Sequence, residues 1–173
     1  MAVTLQEIAG WLEEQEFKFQ QEDEKIIMMT GGDDNTNFHV IKARDEGKIF
    51  EWKMSIVDEE KKDQLKVKEH KHLLPLLTYL LQINFQTKFG TWEYDPADGE
   101  IALNVEIPLE DATMTFNQFK RICTLTMDTS EYTENIASIL ETGAVKEGAS
   151  TDEMLAMLEG MLEELKRGEE EGI

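Results

Sequence analysis

Cysteine is nearly absent from this chain. Cys123 stands alone among 173 residues, so no intrachain disulfide can form and nothing argues for an oxidising compartment. Positive charge is also scarce: 37 acidic residues face 17 basic ones, a formal charge of −20. That balance disfavours nucleic acid and anionic membrane as partners, because binding either requires cations that displace counterions. The excess acid serves solubility, or alternatively recruits a basic partner. No apolar run reaches the roughly 20 residues of a membrane span. The opening MAVTLQEIAG has neither the basic start nor the apolar stretch of a secretory leader. A soluble, cytoplasmic protein is expected.

The motifs of site chemistry are missing too. Gly31-Gly32 has no third glycine and no Lys-Ser or Lys-Thr after it, so it reads as a turn and not as a phosphate cradle. Asp33-x-Asn35-x-Asn37 imitates the start of a calcium loop. It then places Phe38 where glycine is needed and Arg44 where a bidentate glutamate is needed. Asp95, Asp98 and Glu100 crowd one turn, but side-chain bonding within the turn and the Asp-Gly preference explain them without a cation. His70 and His72 are two residues apart and lack the spacing or partners of a zinc site, and His39 falls in a strand. Cys123 lies on the inner stripe of a helix, as a small buried hydrophobe would. No catalytic, cofactor or metal residue is therefore assigned, and no enzyme is expected.

What is present is periodicity. Thr4-x-x-Glu7 is a capping box with Val3 and Ile8 stapled across it, and Leu5, Ile8, Ala9 and Leu12 form the inward stripe of a first helix. Trp11 beside that stripe reads as core. Phe17 to Phe19, Ile26 to Met29, Phe38 to Ile41 and Ile49 to Val57 are strand-like and separated by turn-forming links, which predicts an antiparallel meander. In the last of them Phe50, Trp52, Met54 and Ile56 alternate with Glu51, Lys53 and Ser55. Residues 58–71 are dominated by charge and predict an exposed connection, with a brief strand turn at Leu65 and Val67.

A second helix is expected from about His72–Leu74 to Phe85. Leu73, Leu76, Leu77, Leu80 and Leu81 form its buried side, Leu74 and Phe85 lie at its margin, and Pro75 is in the first turn, where it costs nothing. Thr91 to Tyr94 and Ile101 to Ile107 then alternate across DPADGE as a hairpin, and Pro108 ends it. Thr115-x-x-Gln118 caps a third helix running from Phe116 to about Leu140, with a bend or interruption near Asp128–Ser130 where propensity is weak.

The middle of the chain resembles the YbjN-type family, which shares the fold of type III secretion chaperones. The residues that carry the likeness are Asn84 and Phe85 closing a helix, Asp95, Asp98, Gly99 and Glu100 in the turn, Pro108 and Leu109 after the strand, and Thr115 opening the next helix. The expected fold is α+β, a twisted antiparallel sheet of meander plus hairpin packed with helices. Its order is α-β-β-β(-β)-α-β-β-α, followed by one C-terminal helix. The domain is expected over residues 1–142, with a linker at 143–149, an amphipathic helix at 150–167 and an acidic tail at 168–173.

The resemblance implies a small acidic homodimer that binds a segment of another protein. We therefore expect a non-enzymatic interaction module, chaperone-like or regulatory. The alternatives are a small-ligand sensor and, third, an enzyme with an unmarked site. Candidate partner contacts are Met154, Met157, Leu158 and Met161 on the last helix and Trp92 and Tyr94 on the hairpin. Exposed strand edges offer a second route to a partner. Plain core packing is the competing reading for all six residues.

Overall fold

Thr4 and Glu7 start the first helix as their spacing requires. Thr4 Oγ1 accepts the Glu7 amide at 3.2 Å, and Glu7 Oε2 accepts the Thr4 amide at 2.9 Å, so two otherwise orphaned donors are satisfied. The computed structural model describes residues 2–32, 35–58, 63–87 and 89–146. Its elements are α1 (Leu5–Glu14), β1 (Phe19–Gln21), β2 (Ile26–Gly32), β3 (Asn35–Arg44), β4 (Ile49–Asp58), β5 (Asp63–Gln64), α2 (Leu73–Gln86), β6 (Thr91–Tyr94), β7 (Ile101–Pro108), α3 (Phe116–Met127) and α4 (Ser130–Thr142). The strands form one antiparallel sheet in the order β1-β2-β3-β4-β7-β6, with β5 against the far end of β4. The fold is α+β, as the pattern of periods predicts.

Strand β4 lies at the centre. From Ile49 to Ser55 it pairs with β7, and beyond that β5 takes over the same side. Period 2 puts Phe50, Trp52 and Met54 on the helix-covered face, all fully buried. The helices divide that face between two apolar clusters. One joins α1 and α3 to the sheet through Ile8, Leu12, Phe50, Trp52, Phe119 and Ile122. Within it Phe119 stacks on Trp52 at 5.8 Å between ring centroids and meets Phe50 edge-on at 6.4 Å. The half-buried Trp11 tilts against Phe119 at 5.3 Å, a core role. The other cluster joins α2 and α4 to Met54, Trp92, Ile101 and Leu103 through Leu76, Leu80, Ile83, Ile136 and Ile139.

The opposite face carries cross-strand ion pairs. Glu51 takes Arg44 and Lys42, while Glu100 takes Lys53 at 2.7 Å and the Ser55 hydroxyl at 2.7 Å. Pairs of this kind are worth at most about 1 kcal/mol each where solvent reaches them.

The interruption expected near Asp128–Ser130 is present. The third helix is two helices: the Asp128 amide closes α3 on Thr124 O at 2.9 Å, and the Thr133 amide opens α4 on Thr129 O at 3.0 Å. The Thr126 hydroxyl bonds back to the Ile122 carbonyl at 2.9 Å, a local competitor that weakens the helix before the break. That break redirects the chain, so Ile136 and Ile139 reach the second cluster instead of the first.

The charged connection is also more ordered than its composition suggests. Leu65 N donates to Ile56 O, Lys66 bridges Glu100, and Val67 is buried. The linker, finally, begins as a helix cap: Gly143 adopts φ +88 and donates to Ile139 O at 2.8 Å. The expected C-terminal helix and acidic tail lie outside the described residues.

Candidate functional site

Helix α2, LLPLLTYLLQINFQ, contains no charged residue. Its sheet side is Leu76, Leu80 and Ile83, at i, i+4 and i+7, all buried. At 3.6 residues per turn, Leu74, Thr78, Leu81 and Phe85 lie roughly 160° around the axis from that side. Leu74 is 75% exposed, Leu81 71% and Phe85 93%. The expected stripe was therefore rotated: Leu81 faces outward, Ile83 takes the inward place, and Leu74 and Phe85 belong to a second apolar face. An uncharged helix with large apolar residues on two sides is normally covered on both, and this one is covered on one side only.

A groove of about 380 Å³ opens beside the Leu74 half of this stripe, between α2 and α4, walled by Leu74, Thr78, Tyr79 and Gln82 of α2 and by Ile139, Ala144 and Val145 at the end of α4. Burial raises the Tyr79 phenol above its usual range, although a hydrogen bond with Asn135 opposes the shift. The end of the described chain is fastened here. Lys146 donates its amide to Asn135 Oδ1 at 3.2 Å and its ammonium to Glu134 at 2.9 Å.

The hairpin residues take the core-packing reading and not the partner-contact one. Trp92 is 4% exposed, packs in the second cluster and meets Tyr132 edge-on at 6.2 Å, and Tyr94 is half-buried beside it. Both are even-numbered residues of β6 and share the inward face, so Trp92 offers nothing to a partner. The outer edge of β6 is closed as well. Asn84 Nδ2 donates to Trp92 O at 2.8 Å and Asn84 Oδ1 accepts the Trp92 amide at 2.8 Å, the two bonds a neighbouring strand would make. Strand addition is blocked at that point. Met154, Met157, Leu158 and Met161 lie outside the described residues.

The turn motif serves the frame. Asp95 Oδ1 accepts the Ala97 amide at 2.7 Å, while Asp98 accepts the Glu100 amide at 3.1 Å and pairs with Lys66 at 3.0 Å. These bonds, the amide first, hold the Asp98 carboxyl below its usual range. Gly99 has φ +88, and a Cβ there would lie 2.3 Å from the Lys68 amide nitrogen.

Two titratable groups are buried. His39 sits on the inner face between Met28 and Met54. Its Nδ1 accepts the Trp52 indole N–H at 3.1 Å, which leaves the ring proton on Nε2, facing Thr30 Oγ1 at 2.6 Å. Burial lowers its pKa to about 4, so the ring is neutral at pH 7. Burial also pushes the Cys123 thiol up to about 11, away from nucleophilic use.

A second cavity of about 440 Å³ lies between α3 and the end of β7. It is walled by Ile107, Leu109, Met114, Ile122 and Leu125, with Gln118 and Arg121 supplying polar groups. No helix among the described residues is long and apolar enough to cross a membrane.

No protein-family profile matches this sequence, and no curated protein is similar enough to register. Among solved structures the chain is similar to YbjN from E. coli, described as a proposed transcription regulator. The TM-score is 0.57 at 13% identity, over 84% of this chain and 98% of that one. The chain therefore has the YbjN-like fold. Sequence reasoning recognised the Asn-aromatic segment of that family but missed what Asn84 does. It also missed the outer face of α2, although the absence of charge around the whole helix was a readable signal.

Proposed function

We propose that this protein is a non-enzymatic interaction module, regulatory or chaperone-like, which binds an amphipathic segment of a partner protein on the outer face of α2. The supporting observation is the stripe of Leu74, Leu81 and Phe85, three large apolar side chains exposed on one helix face beside a groove. Single exposed leucines are ordinary, whereas a contiguous apolar stripe marks an interaction surface. The matching mode is helix in groove, with anchors at i, i+3 or i+4, and i+7. Glu131 and Glu141 on α4 are exposed and the chain carries −20 in total, so a partner with basic flanks is favoured. A role in transcription, the description attached to YbjN, would then operate through protein contact and not through DNA phosphates.

Selection of binders from a displayed library of helical peptides tests this reading. Peptides that bind should carry apolar i, i+4 anchors with lysine or arginine flanks, and should lose at least about tenfold, or 1.4 kcal/mol, against Leu81→Asp. Binding indifferent to Leu81→Asp and Phe85→Asp refutes it. The second reading, a small-ligand sensor, draws on the apolar cavity beneath α3. Its signature is a thermal shift with an apolar ligand bearing a carboxylate, abolished by Leu125→Arg.

A further inference from the structure

We propose that in the free protein the outer face of α2 is covered by the chain's own residues 150–165, docked as a helix along Leu74, Thr78, Leu81 and Phe85. This rests on the reading of that face as the partner site and adds its regulation: a partner must displace a segment already in place.

Three observations point to this occupant. The first is position. Lys146 is bonded to α4 at Asn135, which also meets Tyr79 near the middle of α2, and Val145 lines the groove together with Leu74, so the chain leaves the described fold beside the stripe. The second is spacing. Met154, Leu158, Met161 and Leu165 recur at i, i+4, i+7 and i+11, the same intervals as Leu74, Thr78, Leu81 and Phe85. Eleven residues at 1.5 Å each make both stripes about 17 Å long as helices. Ser150-x-x-Glu153 immediately before supplies a capping box to start the segment.

The third is reach. From Lys146 to Met154 the chain spans at most about 29 Å, which is ample for a site that starts beside it, and a tether this short sets an effective concentration in the millimolar range. The segment is itself acidic, with Asp152, Glu153, Glu159, Glu163 and Glu164, so its apolar side and its tether must hold it against charge; a second copy is the weaker occupant, because it would bring another −20 with no tether. The end of α4 lies beside the start of α2, since Val145 and Gly143 line the groove with Leu74 and Pro75.

The test uses the full chain with Leu81→Cys and, separately, Phe85→Cys. Cys123 is buried and contributes little background. The rate of modification by a small thiol reagent is measured with and without the additional changes Leu158→Glu and Met161→Glu. The expected result is modification at least about tenfold slower with the native segment, equal across protein concentrations, and restored to the fast rate by the two glutamates.

Fast modification in both backgrounds overturns the proposal. Protection that grows with protein concentration does so too, and assigns the face to a second copy. Protection that survives the two glutamates overturns it in favour of another cover. If protection is lost with the glutamates but peptide binding does not increase, the docking stands and the partner-site reading is what fails.

Discussion

Replacing His39 with glutamine should abolish a pH dependence of stability that the native protein possesses. The native ring accepts the Trp52 indole proton on Nδ1 and faces Thr30 with Nε2, and glutamine offers one acceptor and one donor in its place without titrating. Protonating the imidazole would place a charge in an apolar layer, which is why burial lowers its pKa to about 4, and it would also set two donors face to face at Trp52. In the unfolded chain the same ring takes up its proton near 6.5. Between these values the unfolded state binds more protons, so acid favours unfolding. The stabilising contribution is whole above about pH 6.5 and drains away as pH falls toward about 4.

Moving from pH 7.5 to pH 5 should therefore cost the native protein about 2 kcal/mol more than His39→Gln, rising toward about 3 kcal/mol near pH 4. Subtracting the variant cancels the other ionisable groups, which both proteins share. Urea denaturation followed by tryptophan fluorescence at four or five pH values gives the difference. Parallel stability curves over pH 7.5 to 5 would refute the buried, neutral assignment.

Two further predictions concern single side chains. Asn84→Ala removes both bonds to Trp92 and leaves a backbone N–H and C=O unpaired at the sheet edge, so urea denaturation should show a loss of about 1–3 kcal/mol. Gly99→Ala places a Cβ at 2.3 Å from the Lys68 amide nitrogen in a left-handed conformation, and calorimetry should record about 2 kcal/mol or more of destabilisation. A melting temperature unchanged by the alanine would show that the Lys68 backbone is free to yield.

What was legible in the sequence was mostly local. The capping boxes at Thr4 and Thr115 need only residues three apart, and both formed. The alternation in β4 needs only its own strand, and it named Phe50, Trp52 and Met54 correctly. What failed depended on distant partners. In the charged connection the brief strand turn at Leu65 and Val67 was legible, but its partners Ile56 and Gly99 and the burial of Val67 were not. The face of α2 that would be buried was ambiguous because leucines lie on both sides and no charge marks the outer one, so periodicity had only Thr78 and the three side-chain amides to measure against. Trp92 was legible as a large aromatic, but whether it met a partner or the core turned on Tyr132, forty residues downstream. The Asn-aromatic signature pointed to the fold and was silent about the bonds its amide makes.

Those bonds bear on the order of assembly. Asn84 and Trp92 are only eight residues apart, and a chain closes a loop of that size in about 10–100 ns. The clasp can thus form while β4 and β7 are still searching for each other across some fifty residues. As the protein emerges from the ribosome, α2 and β6 would then arrive as a preassembled corner that offers nascent neighbours no free rung. Refolding of Asn84→Ala should slow in proportion to its loss of stability, and a variant that folds at the native rate but unfolds faster would place the clasp late instead.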